Sequence, residues 1–160
     1  MEELDLKSLL KTLKDFDRGE QIILGNFGTV QTLLSLIFSH PVTVKLIYQC
    51  EKEEVIIRRV QLMAQDNVLC YAVSHIPKFR NRDGVIRDIS NGRMGLGQII
   101  AYHRLSNQRS LIRVGEDDEV FWRTYNIEGP EVYIEITETF VKAPFEAIGW
   151  IRSLSKIGVA

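Results

Sequence analysis

The spacing of apolar residues changes character several times along the chain. Leu6, Leu9, Leu10, Leu13 and Phe16 recur at helical intervals, which predicts an amphipathic helix over residues 3–16. The run RGEQIILGNFGTV reads as a linker, near whose end Thr29 stands where an N-cap belongs. Val30, Leu33, Leu34 and Ile37 supply the stripe of a second helix, ending near His40-Pro41. Period-two alternation then takes over. VTVKLIYQ (42–49), EVIIRRVQLM (54–63) and VLCYAVSHIP (68–77) predict three strands, the last two joined by a turn at QDN (65–67). Residues 78–95, with three glycines and mixed charge, read as a long mobile loop with a positive bias. GLGQIIAYHRL (95–105) turns helical. SLIRVG (110–115), VFWRTYNI (120–127) and VYIEITETFV (132–141) are strands separated by EDDE and EGP turns. A short helix is expected around Phe145–Leu154.

With no repeat, low-complexity tract or interior linker, residues 1–160 read as a single domain. About six strands joined mostly by short turns, with helices before and between them, predict an α+β fold. Its form is a mainly antiparallel sheet with helices packed on one side.

Two strands carry a charge where an apolar side chain is expected. Side chains alternate between sheet faces. Arg58 therefore shares a face with Ile56, Val60 and Leu62, and Glu138 with Ile134, Ile136 and Phe140. Glu135 shares the opposite, mixed face with Tyr133 and Thr137, where water reaches it. A buried uncompensated charge costs on the order of several kcal/mol, so each of the two odd groups needs a partner. Either Arg58 and Glu138 pair with each other, or both face a cavity and hold opposite ends of a small polar ligand. A third feature is RMGLGQII, where glycines precede a helix and leave amides free. It lacks the Gly-Lys-Ser/Thr of a phosphate loop and the feeding strand of a dinucleotide fingerprint.

Composition narrows the function classes. The chain of 160 residues is 45% hydrophobic and 26% charged, with a net charge of −1. This balance gives no reason to expect nucleic acid or anionic membrane as a partner. The N-terminal run MEELDLKSLLKTLKDF has no apolar signal-peptide core, and no stretch approaches the roughly 20 apolar residues of a membrane helix. A cytoplasmic protein is the expectation, with Cys50 and Cys70 as reduced thiols. His40, His75 and His103 show no zinc-type spacing with each other or with the cysteines, so no metal site is expected from them. Trp122 and Trp150 read as core or rim aromatics.

The blocks IIRRVQL, YAVSHIP, MGLGQII, RVG and ITETFVKAP, in that order between about residues 22 and 145, resemble the chorismate lyase (chorismate–pyruvate lyase) family. They are most similar to its branch long catalogued as a domain of unknown function. The resemblance implies an antiparallel sheet flanked by helices. It implies cleavage of chorismate to 4-hydroxybenzoate and pyruvate in a closed cavity, without cofactor. It also implies that Arg58 binds the ring carboxylate and Glu138 the 4-hydroxyl, with Leu96, Gly97 and Val30 lining the site. The same fold serves as the effector-binding domain of some transcription regulators, which makes a non-catalytic aromatic-acid-binding domain the alternative. Those regulators carry a DNA-binding winged helix in front, and only about 20 residues precede the matched region, which favours the enzyme.

Overall fold

The computed structural model describes residues 3–152. Six strands form one antiparallel sheet: β1 Val42–Lys52, β2 Val55–Ala64, β3 Asn67–Pro77, β4 Gln108–Glu116, β5 Val120–Gly129 and β6 Val132–Val141. Their order is β1-β2-β3-β6-β5-β4. The sheet is thus two three-stranded meanders joined where β3 pairs with β6. Tight turns set each meander. The β1–β2 hairpin turns through Glu53 and Glu54, both with positive φ (54° and 64°). That conformation normally selects Asn or Gly, so no turn signal stood in the sequence there.

The helices α1 Glu3–Leu13, α2 Arg18–Leu24, α3 Val30–Phe38, α4 Asp83–Asn91, α5 Leu96–Tyr102 and α6 Lys142–Ala147 complete the α+β fold. Their apolar residues pack on one sheet face as two clusters. One joins Ile23, Leu24, Leu34 and Phe145 to Leu62, Cys70, Phe121 and Phe140. Phe121 and Phe140, opposed across β5 and β6, stack with centroids 5.0 Å apart, and Phe145 meets them edge-on. The other cluster joins Val85, Ile89, Ile99 and Ile100 to Ile56, Ile76, Ile134, Ile136 and Ile127. The sheet positions between the two clusters carry the polar side chains Arg58, Ser74, Glu138 and Arg123.

The structure corrects three expected elements. Residues 18–24, read as linker, form α2. Its start is a capping box in which Asp17 accepts from Gly19 N at 3.0 Å and Glu20 accepts from Asp17 N at 3.3 Å. Residues 78–95, read as a mobile loop, hold a 3-10 turn (Lys78–Arg80) and α4. Val85 and Ile89 anchor α4 in the core at helical spacing, which the charges around them obscured. The C-terminal helix begins at Lys142, and Gly149 in the left-handed conformation (φ 77°) follows its end. Residues 153 and 154 of the expected helix lie outside the described residues.

A second buried charge cluster docks α2. Trp150 Nε1 donates to Gly19 O at 3.0 Å, and a side chain at Gly19 would place its Cβ 2.3 Å from Trp150 O. Beside it the buried Glu20 carboxyl faces Glu116, which accepts from Lys142 Nζ at 3.0 Å. Burial, then hydrogen bonding and repulsion from Glu116, push Glu20 up to about 7, with Lys142 opposing. Between the ordinary value of 4.5 and about 7 the native chain keeps a proton that the unfolded chain has released. Stability therefore falls as pH rises through that window. Glu20→Gln keeps the Asp17 acceptor and is expected to flatten the decline, which is on the order of 1–3 kcal/mol. Urea unfolding of both proteins from pH 4.5 to 8 measures it, and identical slopes would exclude Glu20 as the titrating group.

Candidate functional site

Between the two apolar clusters lies a cavity of about 300 Å3. Its floor is a consequence of residue size on the central strand. β3 contributes only Ala72 and Ser74, whereas its neighbours contribute Arg58, Val60 and Leu62 from β2 and Ile136 and Glu138 from β6. Small side chains between long ones leave a trough in the sheet. Tyr125 and Ile127 of β5 form one wall and Gly28–Gln31 with Gly95–Gln98 another, and Val44, Ala101 and Arg109 complete the lining. Gly28, Thr29, Gly97 and Gln98 are exposed, so the cavity opens to solvent between these two segments, unlike the closed site implied by the resemblance.

Arg58 and Glu138 both line this cavity, and they do not pair with each other. They stand two strands and two residues apart, about 12 Å between Cα atoms by ordinary sheet spacing. Glu138 pairs instead with Arg123, directly opposite on β5: Nε donates to Oε1 at 2.7 Å. Exposures of 3% for Glu138 and 1% for Arg123 make this a fully buried ion pair. Arg123 Nη1 also donates to the carbonyls of Ile23 (3.2 Å), Leu24 (3.1 Å) and Asn26. One guanidinium thus fixes the glutamate and ties down the end of α2. Its carbon Cζ lies 4.6 Å from the Tyr125 ring centroid. Burial, then the Glu138 charge, raises the Tyr125 phenol, which stays neutral.

Arg58 has no such partner. It is 4% exposed, yet its protein hydrogen bond is Nη2 to Met94 O at 2.9 Å, and Nη1 is buried with no acceptor. Burial is what lowers its affinity for the proton, with no carboxylate opposing. A guanidinium stays charged even so. The described residues therefore leave a buried cation facing the cavity without an anion.

The other residues named from the sequence also fall on the lining. Leu96 and Gly97 form the first positions of α5, and Val30 the first of α3. Nothing lies within 4 Å of where a Gly97 Cβ would stand, so packing does not demand glycine there. Thr29 occupies the N-cap position of α3 without a side-chain hydrogen bond. The basic residues of 78–82 do not gather around the cavity. Lys78 pairs with Glu51, Arg80 with Glu128 and Arg82 with Glu131, on the surface.

Two lining or supporting arginines went unnoticed in the sequence. Arg123 carries the same signal as Arg58, a charge sharing a strand face with Phe121, Tyr125 and Ile127. Arg109 sits just before the strand expected at 110–115, where alternation said nothing. Elsewhere, His103 Nε2 lies 2.5 Å from Asp88 Oδ2, and its Nδ1 lies 2.7 Å from Arg82 Nη2, which links α4 to α5. Cys50 and Cys70 are free thiols. Among the described residues no group of three or more His, Cys, Asp or Glu is placed to hold a metal ion, and no helix is long and apolar enough to cross a membrane.

No family model matches the chain. It is 31% identical to a protein of Methanocaldococcus jannaschii named "Putative lyase MJ0807", over an aligned length of 157 residues covering 84% of this chain and 85% of the relative. At that identity and coverage, the chain belongs to the family of this relative.

Proposed function

We propose that the protein is a chorismate pyruvate-lyase. The observation that carries this reading is Arg58: a buried cation with an unpartnered nitrogen on the wall of an otherwise largely apolar cavity. That arrangement fits the carboxylate of a small, mostly apolar acid. The relative's name, "Putative lyase MJ0807", supports a lyase-type reaction. Chorismate would set its ring carboxylate on Arg58, whose guanidinium Met94 O holds in place. The ring would lie over Ala72 between Val60, Ile136 and Tyr125. Glu138 would accept from the 4-hydroxyl. Arg123 fixes its Oε1, and Oε2 takes no part in that bond.

In this pose the C3–O bond breaks and C4 loses its proton. The C4–H electron pair completes the aromatic ring, and the enolpyruvyl methylene gains a proton to become the methyl of pyruvate. One dianion becomes two monoanions, and no redox equivalent is needed. Aromatisation drives the step, so the protein's share is to hold the reactive conformer. A glutamate locked by an arginine suits orientation of the hydroxyl better than proton abstraction.

The test is incubation with chorismate, following 4-hydroxybenzoate and pyruvate together. Equal amounts above the spontaneous rate support the lyase. Glu138→Gln is expected to lower kcat by about 10–100-fold, as for loss of one positioned charge, while the protein stays folded. Full activity in that variant would remove Glu138 from the mechanism. Binding of 4-hydroxybenzoate without turnover would instead identify an aromatic-acid-binding domain.

A further inference from the structure

The geometry points to Arg109 as the second anion-binding group of the cavity, the residue that selects a dicarboxylate over a monocarboxylate. This deepens the lyase reading and rests on it for the identity of the substrate.

Arg109 lies on β4, half-buried, and lines the cavity. Its Nη1 donates to Phe27 O at 2.5 Å and Gly28 O at 3.3 Å. Both acceptors are neutral, and no carboxylate of the described residues pairs with it. Around the cavity, Arg123 cancels Glu138, which leaves two guanidiniums, Arg58 and Arg109, without an anion. Two uncompensated cations in one small cavity repel each other and match a ligand carrying two negative charges.

Strand order places the two cations correctly for such a ligand. Across the sheet, Arg58 stands on β2, Glu138 on β6 and Arg109 on β4, in that sequence. In chorismate the hydroxyl on C4 stands opposite the ring carboxylate on C1, and the ether arm on C3 leaves obliquely from the hydroxyl's half of the ring. With the ring carboxylate on Arg58 and the hydroxyl on Glu138, the C1-to-C4 axis runs from β2 toward β6, and the oblique arm would have β5 and β4 ahead of it. Arg109 is the cation there. It also lines an outer groove of about 1170 Å3 shared with Ser8, Thr12 and Arg113. It therefore borders both the cavity and the groove.

The experiment compares Arg109→Met and Arg109→Lys with wild type, using chorismate turnover and 4-hydroxybenzoate affinity. Arg109→Met is expected to raise KM for chorismate by about 10–100-fold, the worth of one charge-assisted contact. It should change the affinity for 4-hydroxybenzoate less than about threefold, since that product lacks the second carboxylate. Arg109→Lys should recover part of the loss. An unchanged KM overturns the assignment. So does a parallel loss of 4-hydroxybenzoate affinity, which would make Arg109 a prop for Phe27 and Gly28.

A second measurement needs neither turnover nor a folded variant. Wild type should bind 3-(1-carboxyethoxy)-4-hydroxybenzoate about 10-fold or more tighter than 3-ethoxy-4-hydroxybenzoate, its monoacid counterpart, at low salt. Equal affinities overturn the dicarboxylate assignment. A preference for the diacid without chorismate turnover would sink the lyase reading and leave Arg109 in place. Binding of neither acid would sink both.

Discussion

Arg58→Met is expected to abolish ligand binding without weakening the fold. The guanidinium is buried and makes one hydrogen bond, to Met94 O, while Nη1 has no acceptor. No carboxylate depends on it, so its removal strands no opposite charge. Methionine keeps much of the aliphatic stem beside Val60 and Ile56. Loss of the Met94 hydrogen bond costs about 1 kcal/mol. Relief of a desolvated, uncompensated cation offsets that, since apolar replacement of buried charges is often neutral or stabilising. Affinity for 4-hydroxybenzoate should fall at least about 100-fold, because a desolvated carboxylate without its cation loses on the order of 3 kcal/mol. Calorimetric titration beside urea unfolding reads both quantities. Unchanged affinity together with a large loss of stability would make Arg58 a structural residue and remove it from the site.

The architecture and half of the charged site were legible in the sequence, for the same reason. Strands with one buried face alternate, and alternation makes a misplaced charge visible. Arg58 and Glu138 stand out in IIRRVQL and ITETFV because every other member of their face is apolar or small. What alternation left open was pairing. Register across non-adjacent strands is not written in either strand, so whether Arg58 reaches Glu138 could not be read from the pattern. The order β2-β3-β6-β5 puts β3 between them and sets Arg123 against Glu138 instead. Arg123 was readable by the same rule in VFWRTYNI, whereas Arg109 was not, because the cavity-facing end of β4 has no apolar alternation around it. Short helices escaped for a different reason. α2 spans seven residues, too few for periodicity, and only its Asp17–Glu20 capping box marked it. α4 hides Val85 and Ile89 among Asp83, Arg87 and Asp88, just after Arg80 and Arg82, whose partners Glu128 and Glu131 lie far along the chain.

Arg123→Met is expected to have the opposite consequence from Arg58→Met, although both remove a buried arginine from the same sheet face. Arg123 is the counter-ion of Glu138, which is 3% exposed, and removing it leaves a carboxylate in an apolar setting. Breaking a buried pair from one side costs about 3–5 kcal/mol. The carbonyls of Ile23, Leu24 and Asn26 lose their shared donor as well, which loosens the end of α2 and the segment leading to Gly28 on the cavity wall. Against a total stability of roughly 5–15 kcal/mol for a domain of this kind, the variant stands close to unfolding at 37 °C. The ion-pair part of the loss is separable. In Arg123→Met/Glu138→Leu no charge is left unpaired, so the double variant should be more stable than Arg123→Met alone by about 2 kcal/mol or more, a coupling measurable in a double-mutant cycle by urea unfolding. The double variant should nonetheless bind no better than Glu138→Leu, because the hydroxyl acceptor is gone from both. Additive losses in the cycle would mean that Arg123 supports α2 through its three carbonyls alone, and that Glu138 is held in the cavity by something other than this pair.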